Sequence, residues 1–230
     1  MKSIKVIVLD ADNCIFLNEA TREGSEEVKD LAWFDVFPEY AKETLNPVLE
    51  DAKNKIAGGK GDRNDIARRV LEHFGFPENQ LADEVVRRCA RFDEIVQKHI
   101  LDIPITDAVR TVIADLSARY ALYINTATPR DSLVQTLRAV NLDHFKGVYG
   151  RPGTKIGNLQ EIARIEGVMP NEMLFVGDTE GDREAAEMVG CRFVGMHTKR
   201  NPLWHVSQVS PVIGSLTELG DILDAKNMRS

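Results

Sequence analysis

The sequence predicts an α/β fold, a Rossmann-like parallel sheet with helices on both faces, interrupted by an inserted all-helical domain. Three observations carry this. The run Val6-Ile7-Val8-Leu9 is apolar and mostly β-branched, the pattern of a strand buried on both faces. From about residue 105 to the end, helical and strand patterns alternate, as in a parallel sheet. Between them, residues 15–104 read as almost wholly helical. The expected division is therefore a core of residues 1–14 and 105–230, with 15–104 inserted after the first strand.

Within the insertion, Ser25 to Phe37 is acidic and amphipathic. Pro38 to Ile56 is a helical stretch that Pro47 is expected to interrupt or kink. Gly58-Gly59-Lys60-Gly61 is a flexible break. Asp62 can cap a helix that runs through Phe74 and stops at Gly75. The longest helix spans Glu78 to Ile100, with Leu81, Val85, Cys89, Phe92, Val96 and Ile100 on one face. Ile103-Pro104 reads as a hinge. Beyond it come a helix from Asp107 to Arg119 and the strand Ala121–Asn125. A helix from Arg130 to Val140 leads to a short strand at Gly147–Tyr149. A helix from Lys155 to Glu166 leads to the strand Met173–Gly177. A helix to Val189, the strand Arg192–Gly195, a short strand near Val212 and a helix around Leu216–Leu223 complete the core.

Hydrophobic residues make up 43% and charged residues 28%, as in a chain with a packed core. The net charge of -7 argues against a nucleic-acid binder and against attraction to an anionic membrane surface. Cys14, Cys89 and Cys191 show neither a disulfide framework nor zinc spacing, which fits a reducing cytoplasm. No apolar run approaches the length of a membrane span, and the opening residues do not read as a signal peptide. The five histidines show no ligand spacing.

The chemistry concentrates where the strands end. Asp10 and Asp12 follow the first strand, and side chains two apart on extended backbone face the same way. Two such acids need a metal, a proton or a cation to offset their burial; a plain turn would also favour Asp and Asn there. The second core strand ends in Asn125-Thr126-Ala127-Thr128, where a hydroxyl could equally cap a helix. The strand at Met173 ends in Gly177-Asp178-Thr179-Glu180-Gly181-Asp182, whose acids also suit a first helical turn. Lys155 opens a helix, where the dipole disfavours a cation unless an anion faces it; a solvated lysine is the simpler reading of that residue alone.

Taken in order, these features resemble the haloacid dehalogenase-like superfamily of phosphohydrolases: DxD after strand one, Thr after strand two, Lys at a later helix start, GDxxxD after the next strand. The helical insertion resembles the small cap of its phosphoglycolate phosphatase and β-phosphoglucomutase branch. The resemblance implies Asp10 as nucleophile and Asp12 as general acid/base, with Thr126 and Lys155 holding the phosphoryl group. It implies Mg²⁺ bound by Asp10, Asp12 (through its backbone carbonyl) and Asp178, with Asp182 in support. Asn13 stands where Gly is usual, and Cys14 where Thr or Val is usual. Lys155 lacks the common following proline, which leaves Arg151-Pro152 as an alternative source of the cation.

The function so implied is a magnesium-dependent phosphatase of a small phosphorylated metabolite, a sugar phosphate among the candidates. A phosphomutase of the same branch would share every core residue. A catalytically silent binding domain is the alternative of another class. A dehalogenase would need neither Asp12 nor Asp178. Substrate contacts are expected from Lys60 and Arg63 around the glycine break, and from Ala127. Thr198-Lys199-Arg200-Asn201 reads as a solvated loop, and Trp204 and His205 carry no assignment.

Overall fold

The computed structural model describes residues 3–56, 61–202 and 211–227. The chain divides into two compact units, Met1–Glu26 with Ile100–Ser230, and Glu27–His99.

The first unit is built on a six-stranded, all-parallel sheet among the described residues. Its strands are β1 (Val6–Leu9), β4 (Ala121–Pro129), β5 (Gly147–Arg151), β6 (Met173–Gly177), β7 (Arg192–Met196) and β8 (Val212–Ile213), in the order β5-β4-β1-β6-β7-β8. Register is direct at the centre: Leu9 lies beside Ile124 on one flank and Val176 on the other. The chain leaves β1 for β4 and β5 on one side, then crosses to β6, β7 and β8 on the other. The carboxyl end of β1 is thus the switch point where open α/β sheets place their ligands.

Alternation along the strands builds two cores. Ile7, Leu9, Leu122, Ile124, Leu174 and Val176 pack with α5 (Asp107–Arg119), α6 (Arg130–Ala139) and α9 (Leu219–Asn227). Val6, Val8, Tyr123, Met173 and Phe175 pack on the other face with α7 (Lys155–Glu166) and α8 (Glu180–Val189). Each side chain pointing the opposite way from its neighbour is what gives both faces a helical layer. Thr106, Thr154 and Thr179 cap α5, α7 and α8 through their hydroxyls.

The second unit is helical: most of α1 (Ser25–Val36), then α2 (Lys42–Ile56), α3 (Arg63–His73) and most of α4 (Glu78–Ile100). Its core joins Trp33, Phe37, Leu45, Leu49, Val70 and Leu71 to the α4 face of Leu81, Val85, Cys89, Phe92 and Val96. Trp33 and Phe92 lie 4.4 Å apart between ring centroids. Asp62 caps α3 with a reciprocal capping box to Asp65, and Gly75 takes a φ of 73° just past its end. No helix among the described residues is long and apolar enough to cross a membrane.

The structure differs from the sequence expectation at three places. Residues 15–26 are not helical throughout: Leu17–Asn18 (β2) and Glu23–Gly24 (β3) form a short antiparallel hairpin before α1 begins. Two-residue strands carry no periodicity to read. These residues also cluster with the sheet, so the boundaries fall at 26/27 and 99/100 rather than 14/15 and 104/105. Finally, α2 runs through Pro47. Proline there removes only the bond to the carbonyl of Glu43, in the exposed first turn, where water can replace it.

Candidate active site

The site assembles at the carboxyl end of the sheet. After Leu9 the backbone stays extended for one residue, with Asp10 N–H donating to the Val176 carbonyl at 2.8 Å. It then folds into a tight turn in which the amides of Ile15 and Phe16 both donate to the Ala11 carbonyl at 3.1 Å. Asn13 takes a φ of 51° in this turn. Glycine adopts that conformation freely and asparagine tolerates it, so Asn13 meets the backbone requirement where the family pattern has Gly. Its side-chain oxygen also accepts from the Glu26 amide at 3.0 Å, at the start of α1.

Asp10 is 2% exposed. Its Oδ1 accepts from the Ala11 amide at 2.9 Å and its Oδ2 from Lys155 Nζ at 3.1 Å. Lys155 also donates to Asp182 Oδ1. Lysine at the first position of α7 is therefore half-buried between two carboxylates rather than freely solvated. Asn125 fixes that helix start: its Nδ2 donates to the Lys155 carbonyl at 2.9 Å, and its Oδ1 accepts from Asn158 at 2.9 Å. Burial works against the Lys155 charge, but Asp10 and Asp182 outweigh it and hold the ammonium above the usual lysine range.

Asp12 is held by three hydroxyls. Ser25 Oγ donates to Oδ1 at 2.7 Å, while Thr128 and Thr126 donate to Oδ2 at 2.7 and 3.2 Å. The two threonines reach the same oxygen because β4 continues past Asn125, through a register irregularity, to Pro129. Ala127 between them is exposed.

On the other side of β1, Gly177 brings β6 close to α8. A Cβ there would lie 2.4 Å from Cβ and Cγ of Asp182. Asp182 is fully buried, and its Oδ2 accepts from the Thr179 amide at 3.1 Å and hydroxyl at 2.5 Å. Asp178 is the exception. It is 2% exposed, and neither carboxylate oxygen has a hydrogen-bond partner among the described residues. A buried carboxylate without a donor is costly unless a cation faces it. One oxygen from each of Asp10, Asp178 and Asp182 lies within 4.8 Å of the other two. Asp10 and Asp182 each accept from Lys155 and from one further residue, whereas both Asp178 oxygens are unpartnered among the described residues; three carboxylates in reach of one point offer the all-oxygen donors that suit a hard divalent cation such as magnesium. The donor set fits.

Burial pushes the Asp178 carboxyl up to about 9, with Asp10, Asp182 and Glu26 adding to the rise and Lys155 opposing it. Burial likewise raises Asp10 to about 7, Lys155 opposing and Asp182 and Asp12 adding. Above the ordinary carboxylate value of 3.8 the metal-free folded chain keeps protons that the unfolded chain has released, so stability falls as pH rises, through both groups up to about 7 and through Asp178 alone up to about 9. A cation on the same carboxylates displaces those protons, so its stabilisation grows over the same range. Thermal melts with chelator are expected to show a falling Tm across this window, and added Mg²⁺ an increment that grows with pH. Asp178→Asn should raise the metal-free Tm at the alkaline end and remove the Mg²⁺ increment. A Mg²⁺ increment independent of pH would contradict this.

Burial raises the Cys14 thiol well above its ordinary range, and its Sγ lies 3.9 Å from the Val176 carbonyl. It packs as a small apolar side chain, with no thiolate to act as a nucleophile. Arg63 pairs with Asp93 inside the helical unit. Lys60, Trp204 and His205 lie outside the described residues. Thr198 to Asn201 is not simply a solvated loop. Thr198 is fully buried, and Asn201 donates to the carbonyls of Asp178 and Met196 at 2.6 and 2.8 Å. Sequence reading also missed Ser25 and the role of Thr128. Thr128 carried a faint signal, two residues from Thr126 on an extended segment. Ser25 and Asn201 carried none.

A family model of haloacid dehalogenase-like hydrolases matches residues 4–190. The chain belongs to this family. No curated protein matches it in sequence. Among solved structures, it is similar to YfnB of Bacillus subtilis, assigned as a hydrolase of this family and bound to magnesium. That pair has a TM-score of 0.71 at 18% identity, covering 97% of this chain and 100% of that one. A protein of Haemophilus somnus 129pt, predicted to be a phosphoglycolate phosphatase, gives 0.70 at 20% identity, over 96% and 99%. A Thermotoga maritima protein assigned as a β-phosphoglucomutase gives 0.68 at 15%, over 96% and 99%. At these identities the likeness is one of fold.

Proposed function

We propose that this hydrolase is a magnesium-dependent phosphatase of a small phosphorylated metabolite, working through an aspartyl phosphate on Asp10. The observation that carries the reading is the pairing of Asp10 with Lys155 near the Asp178 carboxylate, which has no hydrogen-bond partner among the described residues. That is a nucleophile beside one cation and beside a carboxylate that could hold a second.

Asp10 and Asp178 would hold the Mg²⁺, with the backbone carbonyl of Asp12 from the family pattern and Asp182 in support through Lys155. Bound there, the ion supplies positive charge that offsets the repulsion between a carboxylate and a phosphate dianion. Asp10 attacks phosphorus, and the bond to the leaving oxygen breaks. Asp12 gives that oxygen a proton, then takes one from the water that attacks phosphorus and frees Asp10. Lys155 and Thr126 hold the equatorial oxygens as charge builds on them. Of the two cations weighed from sequence, Lys155 is favoured, because it donates to Asp10.

A screen of phosphorylated metabolites for Mg²⁺-dependent phosphate release tests the reading. Release that stops with chelator is the expected result. Isomerised product without free phosphate would make the chain a mutase, and full activity with chelator would overturn the metal's role.

A further inference from the structure

Among the described residues the carboxylate of Asp178 has no hydrogen-bond donor, so no side-chain bond there fixes its position. The backbone carbonyl of Asp178 is held by the side chain of Asn201. Asn201 Nδ2 uses one hydrogen on the Asp178 carbonyl at 2.6 Å and the other on the Met196 carbonyl at 2.8 Å. Its Oδ1 accepts from the Thr198 amide at 2.7 Å. A single amide thus ties the loop after β6 to the end of β7 and closes the loop 198–201 upon itself. The same loop grips the segment that supports Asp12. The Lys199 amide donates to the Arg22 carbonyl at 2.9 Å, Lys199 Nζ pairs with Glu23 at 2.6 Å, and Arg200 donates to the Glu26 carbonyl at 3.1 Å. Ser25, whose hydroxyl holds Asp12, lies within that segment.

We propose that Asn201 is the positioning residue for Asp178, setting the place of this carboxylate as a cation ligand through the backbone rather than through the side chain. The proposal rests on Asp178 being a Mg²⁺ ligand. Supporting groups outside the ligand set are worth about 10–100-fold in metal affinity when removed.

The test is the apparent Kd for Mg²⁺ of the full chain, read from the Mg²⁺-dependent thermal shift, with the metal-free Tm as reference. Asn201→Ala, which removes both donors without adding charge, is expected to weaken Mg²⁺ binding about 10-fold or more. Lys199→Ala removes the exposed pair to Glu23, keeps the backbone bond to Arg22 and is expected to leave the Kd within about 2-fold. A purely structural role would lower the metal-free Tm of Asn201→Ala and leave its Kd unchanged, and that result overturns the proposal. If Asn201→Ala does not fold, Asn201→Ser, too short to reach both carbonyls, takes its place with the same expectation. Failure of both to fold even in saturating Mg²⁺ would make Asn201 a fold anchor and would also overturn it. The underlying reading fails separately and visibly: wild type would then show no Mg²⁺ shift, or Asp178→Asn would keep one.

Discussion

Asp10→Asn folds and does not turn over. The amide keeps the acceptor that the Ala11 N–H uses, and Lys155 retains Asp182 as its counter-ion. Removing one carboxylate from a cluster that also holds Asp12, Asp178 and Asp182 relieves repulsion, so the melting temperature should stay level or rise. A neutral amide cannot attack phosphorus to form an acyl phosphate. Loss of a covalent nucleophile costs on the order of 10⁴-fold or more. Phosphate release by the folded variant at the wild-type rate would remove Asp10 from the mechanism.

The second large effect is expected at Asp12. Asp12→Asn should slow turnover of an alkyl phosphate by about 10²–10⁴-fold, the usual worth of a positioned proton donor. The Ser25, Thr126 and Thr128 hydroxyls can rotate to meet an amide, so the turn should survive. For a nitrophenyl phosphate, whose leaving group needs no proton, the loss in the first step should shrink sharply. Equal losses for both substrates would mean that Asp12 does something other than transfer a proton.

Much of this site could be read before any coordinates, and the reason is local. Asp10 and Asp12 follow an unbroken apolar strand, Lys155 begins a helix, and Gly177-Asp178 ends a strand; each feature sits within a few residues of the pattern that reveals it. The helical layers were legible for the same reason, since α5, α7 and the buried face of α4 declare themselves by spacing. What escaped depends on distant closure. Ser25 reaches Asp12 only because the 17–24 hairpin folds back, and its two-residue strands have no period. Asn201 reaches Asp178 only because β6 and β7 are neighbours, 23 residues apart in the chain at that bond. Asn13 departs from the family pattern by residue type, yet its φ of 51° shows the backbone requirement unchanged.

The central claim is that the phosphoryl group rests on Asp10. It is tested most directly by quenching the chain in acid during its first turnover of a phosphate ester labelled in that group, with Mg²⁺ present, and mapping the label. The account predicts label on the peptide that carries Asp10, released by hydroxylamine as an acyl phosphate would be, and absent from Asp10→Asn. Label on another peptide would contradict it, as would phosphate release from a chain whose Asp10 peptide is never labelled.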